Sequence, residues 1–253
     1  MDQSGLNFEI PPKKTIEIIG SQQVSIATSG SEKKRVTVIS LISCAGMKFP
    51  QLVIFKGTPG ARVERKVKSY NDTMNVFTVQ ENAWTDKEQL ENWLKFVWHP
   101  IASSTQRPKL LLLDSLPLHK DLKKEFEKFH TRVMYIPKGL TWTLQPLDSL
   151  YHRTYKNYAR ECFMVHQLRG NVSEEDRRKQ VIDNVKEIHG KISEEIIKSS
   201  WRHVGLDHPR RIHSQVIIND PIQNGESSME NKMFYFESLF FNLESMKLKV
   251  FFE

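Results

Sequence analysis

A chain of 253 residues with 39% hydrophobic and 26% charged side chains has an ordinary globular composition and is long enough for one sizeable domain with a tail. Its 37 Lys and Arg against 30 Asp and Glu leave a net charge of +7 and a pI near 9.3, which suits a polyanionic partner without demanding one. The two cysteines, Cys44 and Cys162, exclude a disulfide framework and lack metal-ligand spacing, so a reducing intracellular setting is expected, and residues 1–20 contain no signal-peptide core.

Residues 5–10 can continue a strand that Pro11 and Pro12 end. The stretch 15–31 is polar and reads as a loop. Residues 35–43 and 51–55 are two apolar strands around a turn at Ala45, Gly46 and Met47, a hairpin that with the first strand makes three antiparallel strands. Residues 61–70 carry Arg62, Arg65, Lys66 and Lys68, which read as a solvated loop or helix face ahead of a DNA contact. Thr85 can cap a helix with apolar positions Leu90, Trp93, Leu94, Phe96 and Val97, and Pro100 ends it.

The central stretch runs from Lys109 to Tyr158. Leu110, Leu111, Leu112 and Leu113 form a continuous apolar run, short enough for a strand buried on both faces, and Asp114 ends it. A short charged helix and a second apolar strand at 132–137 follow. Leu144-Gln145-Pro146-Leu147-Asp148 then opens a long helix, with proline near its first turn and an acid where the helix dipole favours one. Taken singly, each aspartate reads as a turn or capping residue. Together, acids at the carboxyl ends of strands and on the adjoining helix face the crevice where open α/β sheets place ligands, and they can share divalent cations.

The helix from Asp148 puts Tyr151, Tyr155 and Tyr158 on one side, where core packing is the first reading and base stacking the second. His152, Arg153, Lys156 and Arg160 lie around another side, where the basic residues can meet phosphate. Ser173-Glu174-Glu175 and Ser193-Glu194-Glu195 open two further helices, the second reaching Trp201. Residues 207–232 read as a polar linker. Residues 233–253 hold six of the 14 phenylalanines, interrupted by Glu237, Glu244, Lys247 and Lys249, which argues against a membrane span and leaves a docking helix, a partner-binding segment or merely appended residues.

At these residues the sequence resembles a known family. Leu111-Leu112-Leu113-Asp114 with Pro117 and His119 looks like the second-acid motif of the pogo/Tigger group of DDE-type transposases, which includes relatives of centromere protein B and jerky-like proteins. The segment from Ile136-Pro137 to Asp148, followed by Arg153, Lys156 and Tyr158, looks like the third-acid motif, and Asp2-Gln3-Ser4-Gly5-Leu6-Asn7 resembles the first. Ser115 departs from the asparagine that many members carry after the second acid, and Ser149-Leu150 departs from the Val-Tyr or Gln-Gly expected after the third.

The resemblance implies an α/β fold with a ribonuclease-H-like mixed sheet flanked by helices, its first strand truncated. It covers residues 1–206. Asp2, Asp114 and Asp148 are implied to be both catalytic residues and ligands of two Mg²⁺ or Mn²⁺ ions, with DNA as partner, Arg153, Lys156 and Arg160 as its contacts, and the nucleus as location. It also implies a helix-turn-helix region and half a strand ahead of the first acid, neither of which precedes Asp2 in this sequence. Two functions are therefore carried: a DNA endonuclease and strand-transfer domain, and a domesticated or decayed relative that binds DNA or protein without cutting. A homodimer or protein partner through the tail is expected with either.

Overall fold

The structure is a computed structural model, which describes residues 1–11, 19–20, 22, 33–167 and 173–206. The linker and tail expected over 207–253 lie outside the described residues, as does most of the 15–31 loop.

Strands β1 (Asp2–Asn7), β2 (Arg35–Ser40) and β3 (Gln51–Lys56) form the antiparallel meander expected from their alternation, with Asp2 opposite Ser40 and Val38 opposite Val53. The turn between β2 and β3 is closed by Ser43 N–H donating to the Met47 carbonyl at 2.9 Å, and Gly46 takes the positive φ of 91° that favours glycine there. β1 ends at Asn7, short of the expected Ile10, because it pairs with β2 only from Asp2 to Asn7, a ladder that holds even its polar residues.

Helix α1 (Arg62–Lys68) then crosses to β4 (Asn75–Gln80), which pairs parallel with β3 along its whole length. This fourth strand was not expected. Its Val-Phe-Thr-Val run is short and fully flanked by turns, a pattern easily passed over. Three of the four basic residues of α1 are matched within the chain: Lys66 and Arg62 pair with Glu175, and Lys68 pairs with Glu64. A solvated helix face is what the structure has there.

Helix α2 (Lys87–Trp93) is capped by Asp86, not Thr85, whose carboxylate accepts from Gln89 N–H at 3.0 Å. It runs through a π-helical turn (Leu94–Trp98) into α3 (His99–Ser103). Pro100 therefore does not end the helix; it sits in the first turn of α3, where its missing N–H costs little.

Strand β5 (Lys109–Asp114), helices α4 (Pro117–Asp121) and α5 (Lys123–Glu127), and β6 (Thr131–Ile136) make a parallel βαβ unit. Leu111 and Leu113 are buried, but Leu110 is 40% exposed, so β5 alternates instead of being covered on both faces. The unit lies beside β1, since the Met1 amino group donates to the Leu112 carbonyl at 3.0 Å. Helix α6 (Thr141–Leu144) and a second π-helical turn (Leu147–Tyr151) lead into α7 (His152–Gln167), α8 (Glu174–Lys191) and α9 (Glu194–His203). Ser173 and Ser193 cap the last two as expected, accepting from Asp176 N–H and Ile196 N–H.

Two cores lie on the two faces. Val36, Val38, Val53, Phe55 and Phe77 meet Tyr151, Tyr155, Val185 and Ile188 of the long helices, so the tyrosines pack as core. Ile39, Leu52 and Ile54 meet Trp93, Trp98, Leu111, Leu113 and Phe126 on the other face. The result is a mixed α/β architecture in which helices flank a mixed four-stranded sheet, β1 to β4, with the parallel β5–β6 pair beside it, compatible with a ribonuclease-H-like fold. Among the described residues no helix is long and apolar enough to cross a membrane.

Lys48 closes α8, its ammonium donating to the carbonyls of His189, Gly190 and Ile192 at 2.5, 2.9 and 2.9 Å. Burial, aided by that cation, pushes the neighbouring His189 imidazole down to about 4. The unfolded chain takes up a proton near pH 6.5 while the folded one resists it, so stability is lost as pH falls from 6.5 towards 4, by up to about 3 kcal/mol. Chemical denaturation at pH 7 and pH 4.5 is expected to show this loss, and His189→Gln, which cannot titrate, is expected to reduce it.

Candidate metal centre

The Leu-Gln-Pro-Leu-Asp segment places Asp148 by fixing everything around it. Leu144 and Leu147 are buried anchors, and the wholly buried Gln145 donates from Nε2 to the Met1 carbonyl at 3.4 Å, tying this segment to the start of β1. Ser149 donates to the carbonyls of Pro146 and Ser200 at 2.8 and 3.1 Å, so the residue that departs from the family pattern links the turn to α9. Asp148 itself lies in the π-helical turn, a local widening that often occurs where a helix carries function.

Asp2, Asp148 and His152 come together. Ligand atoms of all three lie within 4.8 Å of one another, a set that could hold a metal ion. His152 Nδ1 stands 3.2 Å from Asp148 Oδ1 and 3.5 Å from Asp2 Oδ2. Asp2 and His152 are buried, whereas the Asp148 side chain is 39% exposed, which gives the cluster one open side.

Asp114 ends β5 and faces the same region, close enough for its charge to act on Asp2. Its carboxylate is not in the three-residue cluster; Oδ1 lies 2.6 Å from Nδ1 of the buried His119. Asp2 also differs from the expected placement at a strand's carboxyl end. It opens β1, and it meets Asp114 because β1 begins alongside the point where β5 finishes.

The electrostatics are those of acids crowded at one place. Burial first, and then the Asp148 charge, push the Asp2 carboxyl up to about 8. Hydrogen bonding from His152 holds Asp148 below its ordinary range. Desolvation lowers the His152 imidazole against the pull of Asp148. Uncompensated, these acids repel one another. A divalent ion removes that repulsion, and hard oxygen ligands with one open side are what such an ion accepts.

Of the basic residues expected to meet DNA, Arg153 is exposed, while Lys156 and Arg160 are half-buried. The Lys156 charge reaches Asp148 and His152. Arg160 donates to Asn157 Oδ1 at 2.7 Å.

Residues 33–201 match the family model described as DDE superfamily endonuclease. The chain belongs to that family. It is 25% identical over 178 residues to the pogo transposable element with KRAB domain of Mus musculus and, to the same extent, to that of Homo sapiens, which places it among pogo-group DDE transposase-derived proteins. The match covers 68% of this chain but only 28% of each relative, so the chain spans a minor part of the curated proteins it resembles. No solved structure matches it.

Proposed function

We propose that this chain is the metal-dependent endonuclease domain of a pogo-group transposase, acting on DNA phosphodiesters in the nucleus, with Asp2, Asp114 and Asp148 as its catalytic residues and metal ligands. The observation that carries the proposal is the meeting of Asp2 and Asp148, 146 positions apart in sequence, at one partly open cluster with Asp114 beside it. Two Mg²⁺ or Mn²⁺ ions, when bound, supply Lewis-acid activation of a water or 3′-hydroxyl and stabilise the leaving oxygen. The chain's own part is to hold three carboxylates on rigid elements, β1, β5 and the turn before α7, and to keep Asp2 away from bulk water. Exposed Arg153 and half-buried Lys156, three residues apart on α7, are the proposed contacts for backbone phosphates approaching the open side.

The alternative, a relative that binds DNA without cutting, is favoured by one feature. Asp114 Oδ1 lies 2.6 Å from His119 Nδ1 and outside the cluster of Asp2, Asp148 and His152. Transposition by the whole protein, and any partner of the tail, stand as proposals.

Binding of a random-sequence duplex, followed by fluorescence anisotropy against salt, tests the DNA reading. Weak, salt-sensitive, sequence-independent binding is expected, with little sequence-specific cleavage by this chain alone. Arg153→Ala with Lys156→Ala is expected to reduce the slope of log K against log salt by about 2. An unchanged slope would remove these residues from the interface.

A further inference from the structure

We infer that the apolar gap between β2 and β5 takes up one further extended segment, and that its occupant is the run Val216-Ile217-Ile218 of this same chain, which lies outside the described residues. This docking is independent of any bound ion.

The gap is a break in strand pairing. β1 to β4 form one sheet and β5 with β6 another, and among the described residues no strand pairs with the second edge of β5. A strand residue directs its N–H and C=O to the same edge, so parity decides which groups face the gap. Lys109 N–H donates to the His130 carbonyl, which turns the odd-numbered residues of β5 towards β6 and the even-numbered ones towards the gap. The Leu112 carbonyl accordingly receives the Met1 amino group at 3.0 Å, and Leu110, beyond the start of β1, faces the gap with no strand opposite. The other wall has the same form. Past the Asp2–Ser40 pair, Leu41 and Ser43 bond across the hairpin to Phe49 and Met47, which turns Ile42 towards the gap. Two open edges in line with β1 call for a strand between them, the geometry of strand addition.

Size and lining select the occupant. The gap holds a cavity of about 400 Å³ lined by Leu41, Phe49 and Trp98 from one core and by Ile42 and Leu147 from the other, so a strand inside it is covered on both faces and must be a continuous apolar run. Lys109 to Leu112 covers about 10 Å at about 3.3 Å per residue, room for three residues. After Leu206 the sequence holds one run of three β-branched residues, Val216-Ile217-Ile218, bounded by Gln215 and by the turn-forming Asn219, Asp220 and Pro221. The phenylalanine-rich runs at 233–236 and 239–241 contain no β-branched residue. The described chain also ends beside the gap: Leu206 N–H donates back to the Trp201 carbonyl at 3.2 Å, and Trp201 lines the cavity. Residues 207–215 reach up to about 30 Å at about 3.3 Å each, ample for a cavity that begins at Trp201.

The test is amide hydrogen exchange, read residue by residue by NMR, on the full chain without added metal, for wild type and Ile217→Asp. With the gap filled, the Leu110 amide is expected to exchange at least about a hundredfold more slowly than in an unstructured chain, and Ile217→Asp is expected to speed it at least about tenfold while the Leu111 amide, which faces β6, keeps its rate. A Leu110 amide that exchanges freely in the wild type would overturn the inference. So would protection that Ile217→Asp leaves unchanged, which assigns the gap to another occupant, or protection lost on dilution, which assigns it to a second copy. Equal loss at Leu111 would show β5 loosening as a whole and would also overturn it. If Ile217→Asp fails to fold, Ile217→Cys in a Cys162→Ala background decides, because Cys44 lines the gap. A short bifunctional maleimide that joins the introduced thiol to Cys44 within one chain supports the inference, and cross-links only between chains, or none, overturn it.

Discussion

Replacing Asp2 with asparagine is expected to make the metal-free chain more stable at pH 7, by up to about 4 kcal/mol, while removing its response to divalent ions. The unfolded chain loses the Asp2 proton near pH 3.8, but the folded chain keeps it until about pH 8, because the carboxyl is buried and faces Asp148. Between those values the folded state holds the extra proton, so stability falls as pH rises through that window, by about 1.4 kcal/mol for each unit. At pH 7 about three units of the window have been crossed. Asparagine keeps the shape and cannot ionise, so the variant should lose this slope. Urea titrations from pH 4 to pH 8 measure it; a variant less stable than wild type at pH 7, with the same slope, would show that Asp2 is not strained in this way. A stabilising substitution that abolishes ion binding is the pattern expected where a site is kept at a cost to the fold.

Trp93→Ala carries the largest expected loss of stability, about 3–5 kcal/mol. Trp93 is wholly buried, stacks on Trp98 at a centroid distance of 6.0 Å and meets Phe126 edge-on at 6.4 Å. The cavity left behind cannot close easily, because those neighbours are themselves buried against Ile54, Leu111 and Leu113. Leu111 and Leu113 belong to β5, so the loss is expected to loosen the strand that carries Asp114 as well. Chemical denaturation measures the first effect. A cost below about 1 kcal/mol would mean that this layer does not pack as described.

Much of this was legible in the sequence, for reasons that differ from element to element. The leucine run ending in Asp114, and the Leu-Gln-Pro-Leu-Asp opening before α7, are local patterns that need no knowledge of distant contacts. Tyr151 and Tyr155 were placed in the core by helical spacing alone, and Ser173 and Ser193 were readable as caps. The sequence misled where a distant partner decides. Leu110 is exposed because β1 meets β5 only at its start, and no local pattern in four leucines reports that. β4 escaped because its six residues gain their stability from β3, in a parallel pairing formed across α1. Pro100 looked like a helix end, yet the π-helical turn before it lets the chain begin a new helix there.

The site divides in the same way. Asp2, Asp114 and Asp148 were found through the motifs, not through any spacing between them. His152 was seen only as part of a basic face. Its spacing of four residues from Asp148 was a usable signal, since it puts both side chains on one side of the helix. Its approach to Asp2, 150 positions away, was not. Gln145 likewise looked like a motif letter until its bond to the Met1 carbonyl gave it the work of joining the third acid to the first.

The central claim is that Asp2 and Asp148 form a metal centre, and calorimetric titration of the full chain with MnCl₂ near neutral pH tests it most directly, with Asp148→Asn as the comparison. Saturable binding by the wild-type chain that weakens at least about tenfold in the variant is the expected result. No saturable binding by the wild type, or the same affinity in both proteins, would contradict it.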